Sequence, residues 1–253
     1  MFNIMEAQAT LCDEDFHVVN NACVPCPSSQ SNLRGDDPNG QDTSCDTCRI
    51  ETNQELRDFV DQWIVDPPSS HPCGEVIGDW EVGRVTDMSN VFCADASWSQ
   101  CNTIRRNFND DISKWNTASV TTLFQTFRMC TSFTGDSVSW DTSKVTTFES
   151  TFYYATSFTG DGVSSWNTAR VTTLKLTFYQ ALDFNGDLSN WDTSKVTDLY
   201  GTFDRADSFN GDLSNWTTSR VRELKNTFNM ALDFNGDLSN WDTSKVTSLH
   251  GTF

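Results

Sequence analysis

Long hydrophobic runs and an excess of positive charge are both missing from this 253-residue chain. No stretch approaches the roughly 18 apolar residues of a membrane-spanning helix, which argues against direct insertion into a membrane. The formal net charge is −18, from 17 Lys and Arg against 35 Asp and Glu. Because contact with phosphate backbones requires a cationic surface, nucleic acid is excluded as a class of partner.

Histidine is scarce as well, with only His17, His71 and His250 in the whole chain. None of them lies in a recognisable catalytic phrase, so we expect no catalytic residues, no enzyme activity and no organic cofactor. Leu, Ile and Val are few, whereas Phe (18) and Trp (9) are plentiful. The core is therefore expected to consist of aromatic side chains, which bury about 150–250 Å² each.

Nine cysteines are many for this length, and six of them precede residue 80. Such density is typical of secreted proteins, where disulfides persist. The spacing of Cys23, Cys26, Cys45 and Cys48 also fits a zinc site in a cytosolic protein, which is the alternative. Disulfides are favoured because the loops between these cysteines bury little apolar surface and need covalent cross-links for stability. The cysteines expected in disulfides are Cys12, Cys23, Cys26, Cys45, Cys48, Cys73, Cys93 and Cys101.

A phrase that begins with tryptophan recurs through residues 80–253, and such a fixed period indicates a repeat architecture. The tryptophans are Trp115, Trp140, Trp166, Trp191, Trp216 and Trp241, at intervals of 25, 26, 25, 25 and 25 residues. A further copy begins at Trp80 and carries an insertion with Cys93 and Cys101, which we expect to pair. A unit this small cannot bury its own apolar residues, so the units must stack and the tryptophans must form the core.

One unit shows the structure that the pattern predicts. Val196, Leu199 and Phe203 follow the i, i+3, i+7 spacing of a short helix, with Ser194 as its N-cap. A small side chain recurs after this stripe, and Cys130 takes that position in one copy, either as a free thiol or as a partner of Cys101. The segment 213–216 then reads as a short extended piece that pairs with its neighbours.

These features predict an α/β leucine-rich-repeat-like solenoid with a short extended segment and a short helix in each 25-residue unit. Three regions are expected: a cysteine-rich disulfide module over 1–50, a capping helix and linker over 51–79, and about seven repeats over 80–253, the last one incomplete. The apolar face of an amphipathic helix over 53–65 would cover the open end of the first repeat.

Acidic residues also recur at a fixed place, after the Asn-Gly or Thr-Gly pair of each unit. One interpretation is that these acidic residues lie on a solvent-exposed face, where a column of basic residues offsets their charge. The other is that Ca²⁺ binds between the acidic turns of neighbouring units. The candidate calcium ligands are Asp136, Asp161, Asp187, Asp212 and Asp237. Asn215-Trp-Thr217 is a glycosylation sequon whose use requires Asn215 to point outward.

The phrase Phe-Asn-Gly-Asp-Leu-Ser-Asn-Trp-Asp-Thr-Ser-Lys-Val-Thr-x-Leu-x-x-Thr-Phe resembles the 25/26-residue repeat of BspA-like leucine-rich-repeat surface proteins. The resemblance covers about residues 55–253 and implies an extracellular or cell-surface location with an adhesion or structural role. The loops between the N-terminal cysteines resemble small extracellular modules of the EGF or TNF-receptor kind.

Two functions follow as hypotheses. The first is a secreted, non-enzymatic structural or adhesion protein that assembles head to tail into filaments, since the sequence stops at Phe253 within a repeat and would leave its apolar stripe bare. The second is a ligand-binding module, with or without calcium, that holds a carbohydrate or a protein on one face. Exposed aromatic side chains away from the Trp column would favour the second. The partners expected are further copies, other surface proteins or glycans.

Overall fold

The structure is a computed structural model that describes residues 16–20, 22–25, 50–65, 71, 73–135 and 139–253. Strands β1 (Phe16–Val19) and β2 (Ala22–Pro25) pair antiparallel, with Phe16 opposite Pro25. Helix α1 spans Asn53–Val65, the bounds expected from the sequence. Short 3₁₀ helices cover Ile77–Asp79, Thr103–Asn107 and Val163–Ser165.

Helix α1 begins with a capping box and covers the first repeat. The Glu55 amide donates to Thr52 Oγ1 at 3.2 Å, and the Thr52 amide donates back to Glu55 Oε2 at 3.0 Å. Leu56 and Val60 on the inner face are fully buried in the core. Asn53 Nδ2 donates to two carbonyls at the edge of the first unit, those of Asp87 and Ser89, at 3.0 and 2.8 Å. The helix therefore supplies both apolar cover and hydrogen bonds to that edge.

An ion pair between the buried Arg105 and the half-buried Asp61 fixes α1 to the insertion of the first repeat. Arg105 is 3% exposed, and its Nε donates to Asp61 Oδ1 on α1 at 2.6 Å. Asp61 Oδ2 accepts a second hydrogen bond from Asn102 Nδ2 at 3.0 Å. Arg105 Nη1 donates to the Asn90 carbonyl of the first unit at 2.9 Å. One guanidinium thus joins the helix, the insertion and the repeat stack.

From Trp80 onward, alternate backbone amides bond to the next unit and to their own chain. The amides of Phe148, Ser150 and Phe152 donate to carbonyls 25 residues later, at 3.4, 3.0 and 2.9 Å. The amides between them, such as Thr151 and Tyr153, donate three residues back within the same unit. Because buried amides need partners, this alternation satisfies the backbone of this segment and joins each unit to its neighbour.

The units are thus a continuous parallel stack. Isolated parallel bridges link equivalent residues of adjacent units at Asp87–Thr122, Thr147–Thr173, Thr173–Asp198, Asp198–Glu223 and Glu223–Ser248. The segment expected as a helix from the spacing of Val196, Leu199 and Phe203 has turns in its place, and the bridge lies at Asp198 rather than in 213–216. Consecutive turns place Val196, Leu199 and Phe203 on one side of the chain, as a helix would. They also leave every second backbone amide available to donate to the neighbouring unit. Ser194 also has a different role, since its amide donates to Asp192 Oδ1.

Each turn segment requires left-handed residues. Leu176 and Gln180 have φ of 54° and 53°, and equivalent positions repeat this in the neighbouring units. Gly201 takes the first of these positions with φ 58°, where glycine has no steric cost. A Cβ at Gly201 would also lie 2.7 Å from Leu176 Cδ2, so the adjacent unit packs directly against this glycine.

Three columns of stacked rings fill the interior. In the Trp column, the neighbouring rings that stack have centroids 6.1–6.4 Å apart. In the central phenylalanine column the spacing is 5.1–5.8 Å, and its members are Phe92, Phe127, Phe152, Phe178, Phe203, Phe228 and Phe253. In the second phenylalanine column the spacing is 5.5–6.3 Å, and its members are Phe108, Phe133, Phe158, Phe184, Phe209 and Phe234. Phe148 packs against both Trp166 and Trp191, with centroids 5.1 and 5.6 Å away. The Trp191 indole N–H donates to the Val163 carbonyl at 3.0 Å. The same kind of bond to a backbone carbonyl of the preceding unit is made by Trp115, Trp140, Trp216 and Trp241.

A column of buried threonines lies directly before the central phenylalanine column. Thr202 Oγ1 is 3.0 Å from the Leu174 carbonyl of the previous unit and 2.9 Å from the Leu199 carbonyl of its own. The equivalent hydroxyls bond in the same way; they belong to Thr151, Thr177, Thr227 and Thr252. Each hydroxyl therefore lies between carbonyls of two units and has one hydrogen to share between them.

Replacement of Thr202 with valine keeps the side-chain shape and removes this hydroxyl. We expect the free energy of unfolding to fall by about 1–2 kcal/mol, because buried carbonyls lose a hydrogen-bond partner. Thr197→Val is the control, since Thr197 is exposed and also bonds to a carbonyl of the previous unit at 3.3 Å. Its change should be about 0.5 kcal/mol or less. Urea unfolding of both variants checks this, and equal losses would contradict it.

Candidate functional site

The surface beside the parallel bridges carries side chains that the interior does not need, and we call it the bridge face. One of its columns follows the central phenylalanine of each unit and consists of Arg128, Tyr153, Tyr179, Asp204 and Asn229. The interior column repeats one residue type, whereas this column changes from cation to aromatic to acid. The variation indicates that packing between units does not dictate these residues.

Arg128 lies between two aromatic rings on the bridge face. Its guanidinium carbon is 3.8 Å from the centroid of Tyr153 and 6.0 Å from that of Trp98. Its Nε donates to Asp95 Oδ2 at 2.8 Å, and the Asp95 side chain is 8% exposed. Burial alone would raise the pKa of Asp95, but hydrogen bonds from Ser97 and Arg128 outweigh it and lower this pKa. The guanidinium is therefore held in one orientation by a charged partner and a ring.

Two tyrosines extend this cluster along the stack. The rings of Tyr153 and Tyr179 are parallel within 9°, with centroids 4.7 Å apart. Tyr154 is tilted against both, at 5.1 and 5.7 Å. Within the described part of the chain, no hydrogen bond engages the hydroxyls of Tyr154 and Tyr179, and all three rings are half-buried. We call Trp98, Arg128, Tyr153, Tyr154 and Tyr179 the aromatic patch.

The disulfide-closed insertion holds the exposed end of the aromatic patch. A disulfide joins Cys93 and Cys101, whose Cα atoms are 4.8 Å apart, and closes the loop that carries both Asp95 and Trp98. The base of the loop is fixed to the stack, because the Ala94 amide donates to the Arg128 carbonyl at 2.8 Å. Trp98 itself is 47% exposed and contacts Phe124 edge to face.

Charges on the bridge face are largely paired. Lys175 Nζ lies 2.9 Å from Glu149 Oε1, and the contact raises the pKa of Lys175. Burial raises the pKa of Asp198 and that of Asp204. Asp204 also accepts a hydrogen bond from Asn229 Nδ2 at 2.9 Å. The face therefore carries no strong excess of either sign next to the aromatic patch.

The acidic columns considered for calcium cap turns. The Oδ1 atoms of Asp187, Asp212 and Asp237 accept the amide of the serine two residues later, at 2.8–2.9 Å. Asp161 makes no such bond, and Asp136 lies outside the described residues. No group of three or more His, Cys, Asp or Glu that could hold a metal occurs among the described residues. The recurrence of these aspartates has a local structural cause, which is the need of each turn for an acceptor.

These caps predict a loss of stability in acid. Hydrogen bonds from serine lower the pKa of Asp187 and Asp192 below the ordinary 3.8, and the same holds for Asp111, Asp141, Asp212, Asp237 and Asp242. A lowered folded-state pKa stabilises the protein above the ordinary value, and this contribution disappears as the pH falls through the folded value. Asp198 and Asp204 act in the opposite sense but are fewer.

The melting temperature is accordingly expected to fall between pH 4 and pH 2, as calorimetry can measure. Asp192→Asn is the matched variant, because Asn116 and Asn167 cap the same turn in other units at 3.1–3.2 Å. This variant should have a slightly lower melting temperature at pH 7, because the neutral amide is the weaker acceptor, and it should lose less of it in acid. An unchanged or higher melting temperature at pH 2 would contradict the role given to these carboxylates.

The comparison with known families identifies the repeat region. A family model described as "Mycoplasma protein of unknown function, DUF285" matches residues 70–162 and, a second time, residues 159–253. The chain belongs to this family. The two DUF285 matches overlap at 159–162, in the connection between Phe158 and Trp166. No curated protein and no solved structure matches the chain.

The sequence also singled out several cysteines and the sequon at Asn215. Cys73 is disulfide-bonded. Cys130 is a buried free thiol, and burial raises its pKa to about 12. The predictions for Cys12, Cys26, Cys45 and Cys48 lie outside the described residues, as does the side chain of Cys23. Asn215 is exposed although the next residue is core, so the sequon is accessible.

His71 has a structural environment. Its ring stacks on Trp80 with centroids 4.7 Å apart, and its Nε2 lies 3.0 Å from the Phe59 carbonyl of α1. His250 is exposed on the last unit, and the side chain of His17 lies outside the described residues. Across the described ranges, no helix is long and apolar enough to cross a bilayer.

Sequence reasoning did not find the aromatic patch, although one signal was available. Tyr153 and Tyr179 stand directly after core phenylalanines, at a position where two other units have Asp204 and Asn229. Because this position is polar in other copies, the core does not require an aromatic residue there. The two tyrosines therefore indicated a role outside the core.

Proposed function

We propose that this chain is a non-enzymatic extracellular or cell-surface protein with a structural or adhesive role. Residues 80–253 would form a leucine-rich-repeat-like solenoid of the kind that BspA-like surface proteins use. The observation that carries the proposal is the parallel stack, in which each unit gives alternate backbone amides to the carbonyls of the next. Such a stack offers a long, regular surface, which suits contact with extended partners.

The disulfides support the extracellular location. Cys93–Cys101 closes an exposed loop, and Cys73 is also bonded. Disulfides persist in oxidising environments and are rare in the cytosol. An antibody against the purified chain should label intact cells of the source organism, and protease added outside should remove the label. Labelling that requires permeabilised cells would overturn the proposed location.

A further inference from the structure

We propose that the aromatic patch is a binding site for a neutral carbohydrate. The inference goes beyond the proposed scaffold role and rests on other residues: Trp98, Arg128, Tyr153, Tyr154 and Tyr179. The patch lies on the bridge face, outside all three interior ring columns. Its residues are therefore free of the packing role that explains the other tryptophans and phenylalanines of the stack.

Exposure and shape make Trp98 the platform of this site. Its indole is 47% exposed, whereas the tryptophans of the interior column from Trp80 to Trp216 are at most 4% exposed. A large aromatic ring that is half exposed to solvent and contacts Phe124 suits ligands that are apolar on one side and polar on the other. A pyranose ring has this character, because its C–H groups lie on its faces and its hydroxyls point outward.

The polar groups beside the platform are fixed in place before any ligand arrives. Asp95 and Tyr153 hold the Arg128 guanidinium at one end, through the 2.8 Å hydrogen bond and the 3.8 Å ring contact. The Arg128 side chain is only 13% exposed, so it supports the two rings from below rather than lying open to solvent. Donors and flat rings held by a supporting shell are the arrangement that specific small-molecule sites require.

Charge pairing selects a neutral ligand over an acidic one. Asp95 balances Arg128, and Glu149 balances Lys175 at 2.9 Å. The chain as a whole carries −18, so an anionic polysaccharide would be repelled at long range. What the patch offers is ring surface and the hydroxyls of Tyr154 and Tyr179, both of which match an uncharged sugar.

Affinity electrophoresis of the full chain tests the site. Native gels would contain one neutral polysaccharide each, built of glucose, mannose, galactose or N-acetylglucosamine. We expect at least one of them to retard the chain, and Trp98→Ala to weaken the interaction at least tenfold. Arg128→Lys keeps the charge but loses the planar group that packs against Tyr153 and lies near Trp98, so it should also weaken binding. Leu232→Ala is the control, because Leu232 is 73% exposed on another part of the stack and should leave binding unchanged.

Melting temperatures of all variants separate lost binding from lost fold. Since Trp98 is exposed, Trp98→Ala should melt within a few degrees of the parent chain. Several results would overturn the inference: no retardation by any neutral polysaccharide, retardation by polygalacturonate alone, or binding that Trp98→Ala does not weaken. Binding of a proline-rich decapeptide to the patch without any neutral sugar would assign it to peptides and overturn it too.

Discussion

Replacement of Trp191 with alanine is expected to lower the free energy of unfolding by about 3–5 kcal/mol, the range for large aromatic side chains lost from a core. Trp191 is 3% exposed, stacks on Trp216 at 6.4 Å and contacts Phe148 and Phe178. Its loss would leave a cavity between two units and remove the indole donor of the Val163 carbonyl. Urea unfolding followed by circular dichroism measures the change.

Trp241→Ala is the matched control for Trp191→Ala. Trp241 occupies the same position in the last unit, but it is only partly buried and stacks on one side, against Trp216. Its loss should therefore cost clearly less than that of Trp191. Equal costs would mean that the stacking of neighbouring units does not contribute to stability in the way described.

Asp61→Ala gives the second large effect, a loss of about 3 kcal/mol, because it leaves the buried Arg105 cation without its counter-charge. Asp61 is the acidic partner on α1, at 2.6 Å, and Asn102 Nδ2 would lose its acceptor as well. The break should loosen α1 and the insertion together. Hydrogen exchange of α1 amides should accelerate, as measured by mass spectrometry.

Two variants bracket the effect of Asp61→Ala. Asp58→Ala removes an exposed carboxylate from the same helix and should change stability by about 0.5 kcal/mol or less. The double variant Asp61→Ala/Arg105→Met should recover part of the loss, since replacing both partners removes the unpaired charge. A double variant less stable than Asp61→Ala alone would contradict the explanation.

Periodicity in the sequence was sufficient to predict which residues of neighbouring units align, but not the backbone conformation of each unit. The Trp intervals predict which residues stack, and the apolar face of 53–65 predicts α1, because both depend on side-chain burial. The i, i+3, i+7 spacing of Val196, Leu199 and Phe203 fits a helix and a chain of turns equally. Gly201 within that segment was the local sign of a left-handed residue, since glycine weakens a helix interior.

The bridge face was beyond sequence reasoning for a different reason. Which side chains share a surface depends on the bridge register, and the bridges lie at Asp198 and its equivalents rather than near Trp216. The contact between Arg128 and Trp98 spans the disulfide-closed insertion, which no repeat period describes. The recurrence of the aspartates, by contrast, was visible in the sequence. That they cap turns could be seen only from the positions of the serine amides.

Distances between spin labels test the central claim, that equivalent residues of successive units lie at equal steps along one stack. The labels would replace the exposed basic residues Arg84, Lys144, Arg220 and Lys245 in a Cys130→Ala background, since alanine occupies that position in other units. Steps of about 4.8 Å per unit predict backbone separations near ~14 Å for 144–220, ~19 Å for 144–245 and ~29 Å for 84–245. Distances that rise in this order support the account. Distances that do not grow with the number of units between the labels would contradict it.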